Sequence, residues 1–454
     1  MRVAPWRRVL AGLMAALVLA QAAHGWSNHA LGTWFALAAM PELRGRPALQ
    51  VETLEDFLAA DPAGLARLLR DEESWARAHV PHYAPRPEAL AFDGAGKAPA
   101  RARFLAALRV NPDIRLALYL QLPPGQAAAG RPVLAEAEVS TLKTSESTKS
   151  NVFVGLRAGE SVPLIEVLAS AVDEPDYGLD IGLWADNGTA WGAAYGFGPQ
   201  PFGNPAIEWS SQAPFHMGFF HEAGIVYKAA SYLGSAYPEY RIHLWRSLAA
   251  FALARGHGYW GWRFAGWGLH YLQDLTQPYH ARVLPGVGLT RMLGINAMDV
   301  VGIHGPKDRM VQRVTNRHSV LEEFQRVWMR AAYAGDASQD PGVAALRDTR
   351  LDAGVGPYTE DWPRRVVSQR AHEAADAIDE ALVAAFPGRY VDDPAYTFGV
   401  SEPEPDLYAE LGRRPAARAT LQKAIAPLMG DLGAVSRGYV RSLLTQRPEG
   451  GQNR

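Results

Sequence analysis

The segment 269–280 constrains the fold more than any other, because its ligand-type residues are spaced for a helix that stops abruptly. His270 and Asp274 are four residues apart, so a helix places both side chains on one face. Pro278 cannot continue that helix, and His280 follows it closely. Two imidazoles and a carboxylate then converge on a small volume, which is typical of a zinc site. The segment therefore predicts a helix that ends at a bound metal.

A second pair of this kind, His318 and Glu322, lies downstream. Together the two segments offer more ligands than one tetrahedral ion accepts. The chain contains no cysteine, so zinc sites built from thiolates are excluded. We therefore predict a cluster of metal ions held by His, Asp and Glu.

Helical periodicity dominates the rest of the chain. Long helices are predicted at 219–233, 237–255, 260–275, 318–333, 362–386 and 416–444. Shorter ones are predicted at 54–60, 63–79, 101–108 and 113–122. Alternating strand patterns are nearly absent. The fold class we expect is all-α, a helical bundle with long loops and metal sites on facing helices.

The chain is predicted to have three regions. Residues 1–25 have the basic start, short apolar stretch and small-residue end of a signal peptide. Residues 26–335 are predicted to form the catalytic domain, with an insertion at about 46–159. Residues 336–454 are expected to be additional C-terminal helices that pack on it. The signal predicts export, either to the periplasm or out of the cell.

Charge limits the partners of the exported protein. Removing residues 1–25 takes away three arginines and changes the formal net charge from −2 to about −5. A protein that binds duplex nucleic acid usually carries a basic surface. We therefore expect no duplex nucleic-acid partner.

Cleavage of the signal after Gly25 would make Trp26 the first residue. A free α-amino group and the carbonyl of the same residue can chelate a metal together, and a bound cation lowers the pKa of the amine. The alternative is that Trp26 is simply a frayed terminus.

On these residues the chain resembles the superfamily of zinc-dependent bacterial phospholipases C and single-strand nucleases of the nuclease-P-one type. The resemblance rests on a mature N-terminal Trp, on the segment from His270 to His280, and on the His318 and Glu322 pair. Segments 168–174 and 210–216 are similar to those that supply an aspartate and a histidine ligand in that family.

The resemblance implies three zinc ions. The first would be held by Asp173, His216, His270 and one oxygen of Asp274. The second would be held by His280, His318 and Glu322. The third would be held by the amine and carbonyl of Trp26, by His29 and by the other oxygen of Asp274. Asp274 would thus bridge two ions, which a carboxylate can do and an imidazole cannot.

Several ligand assignments have alternatives. His221 competes with His216, and Asp176 or Asp180 can replace Asp173. The apolar residues of 282–317 indicate a packed excursion with small helices of its own. The alternative there is an apolar flap that meets a lipid surface. Three tryptophans are expected in the core rather than on a base-stacking platform: Trp260, Trp262 and Trp267.

The resemblance implies an exported zinc-dependent phospholipase C. It would hydrolyse the phosphodiester of glycerophospholipids, with phosphatidylcholine the expected substrate, by a zinc-bound hydroxide. Asp173 would orient that water or accept its proton. We expect a phospholipid or membrane surface as partner and a monomeric enzyme.

Two other functions remain open. A single-strand nuclease or 3′-nucleotidase would use the same three-zinc site. Glu322 favours the phospholipase branch, because the nuclease branch is expected to carry aspartate there. The lack of cysteine also departs from the disulfide-bearing fungal nucleases. A metal-binding protein without catalysis is the third hypothesis.

Overall fold

The computed structural model describes residues 28–94, 96–142, 150–205, 207–401 and 405–445. The predicted signal peptide and Trp26 lie outside these described residues. The described residues are 62% helix and 3% strand, so the prediction of an all-α fold is confirmed.

The described residues form nineteen α-helices. The first nine are α1 (His29–Ala38), α2 (Leu54–Ala60), α3 (Pro62–His79), α4 (Ala100–Leu108), α5 (Leu164–Ala171), α6 (Ala190–Tyr195), α7 (Ala213–His216), α8 (Gly224–Ala229) and α9 (Pro238–Ala254). The other ten are α10 (Gly258–Asp274), α11 (Pro278–Ala281), α12 (Leu289–Val300), α13 (Gly305–Ala334), α14 (Pro341–Arg347), α15 (Asp352–Val355), α16 (Gln369–Ala385), α17 (Gly388–Val391), α18 (Leu407–Gly412) and α19 (Pro415–Leu444).

Single turns and short strands connect these helices. The 3-10 turns are Pro41–Leu43, Glu88–Leu90, Glu136–Glu138, Glu174–Tyr177, Trp209–Gln212, Ser231–Gly234, Ala337–Gln339 and Thr349–Leu351, and a π-helical turn is Pro363–Ser368. The strands are β1 (Leu49–Gln50), β2 (Tyr119–Leu122), β3 (Val133–Leu134), β4 (Val152–Gly155) and β5 (Ser161–Val162).

Helix α10 lies at the centre of the fold. Every residue from 259 to 274 is buried, which is typical of a helix enclosed by other elements. It packs against α5, α9 and α19. Gly266 permits the close approach of α5, since a Cβ there would lie 2.6 Å from Cβ of Ala171. This contact brings the chain that follows α5 next to the last turns of α10.

Helix α13 is longer than the sequence predicted. A helix was expected over 318–333, after an excursion that ended at 317, but α13 begins at Gly305. The prediction for 305–317 is therefore wrong. These residues are the first turns of the long helix, and Pro306 lies in its first turn, where proline is tolerated.

The predicted helix at 113–122 is also wrong, because β2 occupies its second half. All four residues of β2 are buried. They pair antiparallel with β4, which also pairs with β3, so the strand order is β2-β4-β3. Strand β1 pairs with β5. The partner strand of β2, Val152–Gly155, is distant in sequence, so the periodicity of 113–122 alone carried no sign of it.

The C-terminal helices contact the central helices directly. Helix α19 packs against α1, α10, α14 and α16. Gln273 of α10 donates hydrogen bonds to Thr33 of α1 and Ser436 of α19, at 2.8 and 2.9 Å. None of the described helices is long and apolar enough to cross a membrane.

Candidate metal centre

Eight side chains that can bind metal meet at the C-terminal end of α10. They come from six elements and all are buried: His29, Asp176, His216, His270, Asp274, His280, His318 and Glu322. They form three groups, and within each group the potential ligand atoms lie within 4.8 Å of one another.

The first group consists of His29, His270 and Asp274. His29 is the first residue of α1, whose N-cap Asn28 accepts a hydrogen bond from the backbone N–H of Leu31. Its Nε2 lies 3.3 Å from Oδ1 of Asp274. His270 and Asp274 are one turn apart on α10, with Nε2 of His270 3.3 Å from Oδ2 of Asp274. Asp274 thus faces two histidines with its two oxygens.

The second group consists of Asp176, His216 and His270. Nδ1 of His216 lies 2.8 Å from Oδ2 of Asp274 and 3.8 Å from Oδ1 of Asp176. Nε2 of His270 lies 3.7 Å from the same oxygen of Asp176. His270 belongs to both groups and Asp274 borders both, so the first two groups are adjacent.

The third group consists of His280, His318 and Glu322. His318 and Glu322 are one turn apart on α13, and Nε2 of His318 contacts Oε1 of Glu322. Nε2 of His280 lies 3.8 Å from that oxygen. Nδ1 of His280 is also 3.7 Å from Oδ1 of Asp274, which connects this group to the first.

Three of the histidines are oriented by a hydrogen bond from the nitrogen that faces away from their group. Nδ1 of His270 donates to the carbonyl of Val172 at 2.8 Å, and Nδ1 of His280 donates to the carbonyl of His216 at 3.1 Å. Nδ1 of His29 donates to Oε1 of Gln273 at 2.9 Å. Histidine ligands of metals are usually fixed in this way by an outer partner.

His216 is oriented by a carboxylate instead. Its Nε2 lies 3.5 Å from Oδ2 of Asp180. Asp180 accepts hydrogen bonds from Arg241 at 2.7 Å and from the hydroxyl of Tyr271 at 2.5 Å. Burial alone would raise the pKa of Asp180, but the charge of Arg241 lowers it. Asp180 is therefore an ionised outer partner of the group rather than a member of it.

The pKa values of two carboxylates of the centre, Asp274 and Glu322, are shifted in opposite directions. Burial would raise the pKa of Asp274, but the charges of His270 and His280 and the hydrogen bond from His216 hold it well below its usual value. Burial and the negative charges of Asp176 and Asp274 raise the pKa of Glu322 well above its usual value. Burial and these charges therefore favour the protonated form of Glu322 when the third group holds no cation.

The pKa values of His216 and His270 are also shifted in opposite directions. Burial would lower the pKa of His216, but hydrogen bonds to Asp180 and Asp274 raise it to about 10. Burial lowers the pKa of His270, despite the opposing charge of Asp274.

These residues fit divalent metal ions. Nε2 of His29 and Oδ1 of Asp274 are buried and have no hydrogen-bond partner among the described residues. Buried polar atoms of native proteins are normally paired, so an imidazole nitrogen and a carboxylate oxygen left unpaired 3.3 Å apart suit a shared cation. The donor set of imidazole and carboxylate suits zinc.

Comparison with protein-family models, curated proteins and solved structures found no match.

One expected ligand lies outside the three groups. Asp173 was expected beside His216 and His270, but that position belongs to Asp176. Asp173 accepts hydrogen bonds from the backbone N–H of Ala30 at 3.1 Å and from Gln121 at 2.7 Å. The 3-10 turn Glu174–Tyr177 follows it, and side chains three residues apart in such a turn lie on the same side. Asp176 is therefore one turn nearer to His216 on the same side of the chain.

Asp173 still faces the centre. It is 3% exposed, and burial raises its pKa to about 6, against the opposing charge of His29. The hydrogen bond that it accepts from the backbone N–H of Ala30 fixes the start of α1, where His29 lies.

The choice between His216 and His221 is clear from their positions. His216 is buried in the second group. His221 is half-buried, bonds to the carbonyl of Arg364 at 3.0 Å and contacts the ring of His372. Trp260, Trp262 and Trp267 are all buried. The expected ligand Trp26 lies outside the described residues.

Sequence reasoning missed several supporting residues. Gln273 and Gln277 lie inside the central segment, and Gln277 donates to Oε1 of Glu322 at 3.2 Å. Their signal was present, since both are polar residues in a run of buried ones.

Asp379 of α16 had no such signal. It accepts hydrogen bonds from the hydroxyl of Tyr279 at 2.7 Å and from Arg317 at 2.8 Å. These two residues directly precede the potential ligands His280 and His318, and the ring of Tyr279 stacks on that of His318 at 5.5 Å. The C-terminal helices therefore brace the third group.

Proposed function

We propose that this chain is a zinc-dependent phosphodiesterase of the phospholipase C type, with glycerophospholipids, phosphatidylcholine in particular, as substrate. The observation that supports it best is the arrangement of three buried ligand groups around Asp274. A phosphodiester needs positive charge beside both its attacked phosphorus and its leaving oxygen, and adjacent metal ions meet that need.

The described residues divide among three ions. His29 and Asp274 would hold one, with Trp26 as the proposed third contributor. Asp176, His216 and His270 would hold the second, with Oδ2 of Asp274 beside them. His280, His318 and Glu322 would hold the third. Once bound, the ions supply a water of lowered pKa and compensate negative charge on the phosphoester.

Asp173 is proposed to handle the proton. Its pKa of about 6 leaves it ionised at neutral pH and basic enough to accept a proton from a nearby water. Each of its oxygens accepts one hydrogen bond from the protein and retains a second lone pair. The hydrogen bonds from Gln121 and Ala30 keep the Asp173 carboxylate oriented while it accepts the proton.

Lipid is favoured over single-stranded nucleic acid for three reasons. Glu322 is the residue expected in the phospholipase branch. The chain has no cysteine. The three tryptophans that lie together on α10 are buried, so they offer no platform for base stacking.

The test is a direct competition of substrates. The mature, zinc-loaded protein is given phosphatidylcholine, with release of phosphocholine as readout, and separately single-stranded DNA and a 3′-nucleotide. We expect turnover of the lipid, and none in the Asp274→Asn variant. Hydrolysis of DNA alone would replace the proposal with the nuclease. A chain that holds three zincs and cleaves neither substrate would be a metal-binding protein without catalysis.

The proposal includes export by the segment 1–25. N-terminal sequencing of the periplasmic or secreted protein should begin at Trp26. A product that keeps residues 1–25 would remove Trp26 from the set of ligands.

A further inference from the structure

The surface around α12 is unusually apolar for an exposed region. The described residues include ten large hydrophobic side chains that are exposed. Five of these belong to α12 and the turn after it: Leu289, Met298, Val300, Val301 and Ile303. Val301 is 73% exposed and Ile303 54%. Scattered apolar residues on a surface need no explanation, but clusters mark interaction sites.

These side chains are not needed to fill the interior. Helix α12 has no buried residue, and a different set of its side chains faces inward. Met292, Leu293 and Ile295 line an apolar cavity of about 40 Å³ between α12 and its neighbours. The helix is therefore apolar on its outer side as well as its inner side.

A basic groove borders the apolar surface. Arg291, Arg309 and Arg313 line it together with Ile295 and Met298. Arg291 and Arg309 form no ion pair within the described part of the chain.

The nearest acid of α12 does not offset this charge. Asp299 is already paired at 2.6 Å with both Lys307 and His304. Asp308 is the other acid between 289 and 313, and it does not line the groove. The groove is thus locally basic on a protein whose net charge is negative.

We propose that this surface, comprising α12, the turn 301–304 and the arginine groove, docks the protein onto a bilayer that contains anionic phospholipid. Leu, Ile, Met and Val beside arginines are the composition of an interfacial helix that lies on a membrane. Basic residues next to a bilayer are attracted by its anionic lipids. A second copy of the chain is a poorer occupant, because a twofold contact through this surface would bring arginines together.

The surface is linked to the metal centre by one rigid element. The turn 301–304 leads directly into α13, which carries His318 about 20 Å farther along its axis. Docking would therefore hold the centre at a fixed distance from the bilayer. Its effect on turnover rests on the proposed function, whereas docking itself does not.

The experiment measures co-sedimentation of the full mature chain with phosphatidylcholine vesicles that contain or lack phosphatidylglycerol. We expect tighter binding when phosphatidylglycerol is present. The double variant Val301→Asp with Ile303→Asp should bind at least about tenfold more weakly, and so should Arg291→Glu with Arg309→Glu. The matched control is Val400→Asp, at a site that is 76% exposed but outside the surface, and it should bind normally.

Equal binding by the two double variants and the control would overturn the proposal. A dimer that is lost in the Val301→Asp, Ile303→Asp variant would overturn it too, in favour of an interface between copies.

Zinc content and hydrolysis of a short-chain, monomeric lipid separate the two proposals. Both should be unchanged in the docking variants, while hydrolysis of vesicles falls. If no lipid is hydrolysed at all, the proposed function fails, and the vesicle-binding result still decides the docking.

Discussion

Asp274 and Glu322 are both buried carboxylates that follow a histidine by four residues on a helix, yet their surroundings differ. Four imidazoles lie within 3.7 Å of Asp274. Glu322 contacts two histidines and receives one neutral hydrogen bond, from Gln277. The pKa of Asp274 is accordingly lowered and that of Glu322 raised.

This difference separates the centre into two halves. The Asp274 half comprises His29, Asp176, His216, His270 and Asp274, and its own histidines can neutralise its central carboxylate. The Glu322 half comprises His280, His318 and Glu322. A cation is needed there to keep Glu322 ionised, and Asp379 of α16 supports the half through Tyr279 and Arg317. Substitutions in the two halves should therefore have different effects on zinc binding and on the stability of the metal-free protein.

The largest effect is expected from Asp274→Asn. Because the amide nitrogen cannot bind a metal, this change should release two zinc ions per chain and lower turnover by about 10³-fold. Glu322→Gln should release one ion. Elemental analysis of zinc per chain checks both, with Asp299→Asn, an ion-paired aspartate of α12, as control. Equal zinc loss in the two variants would contradict the division into halves.

Asp176, which belongs to the Asp274 half, and Asp173, which lies outside it, should respond differently to substitution. Asp176→Asn should release one zinc, since Asp176 lies in the second group. Asp173→Asn should retain all zinc while turnover falls by about 10²-fold, because only the proton acceptor is lost. Zinc content and turnover are measured on the same samples. Zinc loss in Asp173→Asn but not in Asp176→Asn would restore Asp173 as the ligand.

A smaller effect tests the brace of the Glu322 half. Asp379→Ala removes the partner of Tyr279 and Arg317, so zinc affinity of that half should fall by about 10- to 100-fold. Competition with a chelator measures this, and the ion proposed at His29 and Asp274 should be unaffected. Glu380→Ala, on the exposed side of the same helix, is the control. An unchanged affinity would show that α16 does not brace the site.

The smallest effect concerns the metal-free protein. The folded pKa of Glu322 is raised, so its stabilising contribution is complete below the unfolded value of about 4.3 and declines as pH rises. The folded pKa of Asp274 is lowered, so its contribution is present above about 3.9 and declines as pH falls.

Melting temperatures of the protein after removal of metal by a chelator test the direction of both pH-dependent contributions to stability. Glu322→Gln should melt higher than wild type by a few degrees near neutral pH, and the gap should close towards about pH 4. Asp274→Asn should melt lower than wild type near neutral pH. A shift of the same sign in both variants would refute the contrast between the halves.

The helical ligand pairs could be predicted because their spacing is local. The helix expected at 260–275 is Gly258–Asp274, and the one at 416–444 is Pro415–Leu444. Periodicity within one segment suffices for such elements. Strand β2 could not be predicted in this way, because its pairing depends on residues 152–155.

The same limit applies to the site. His270 and Asp274 share a helix turn, so their proximity follows from the sequence. The choice of Asp176 over Asp173 depends on how a single 3-10 turn faces α7, and the role of Asp379 depends on how α16 packs on α11. Neither packing leaves a pattern in the local sequence.

His216 contributes to the centre twice, once through its ring and once through its main-chain carbonyl, which holds His280. A change of side chain at this position removes only the first contribution. Insertion or deletion of one residue in the turn 213–217 would displace both, and so disturb the two halves together. The length of that turn is therefore under tighter constraint than the identity of any one side chain in it.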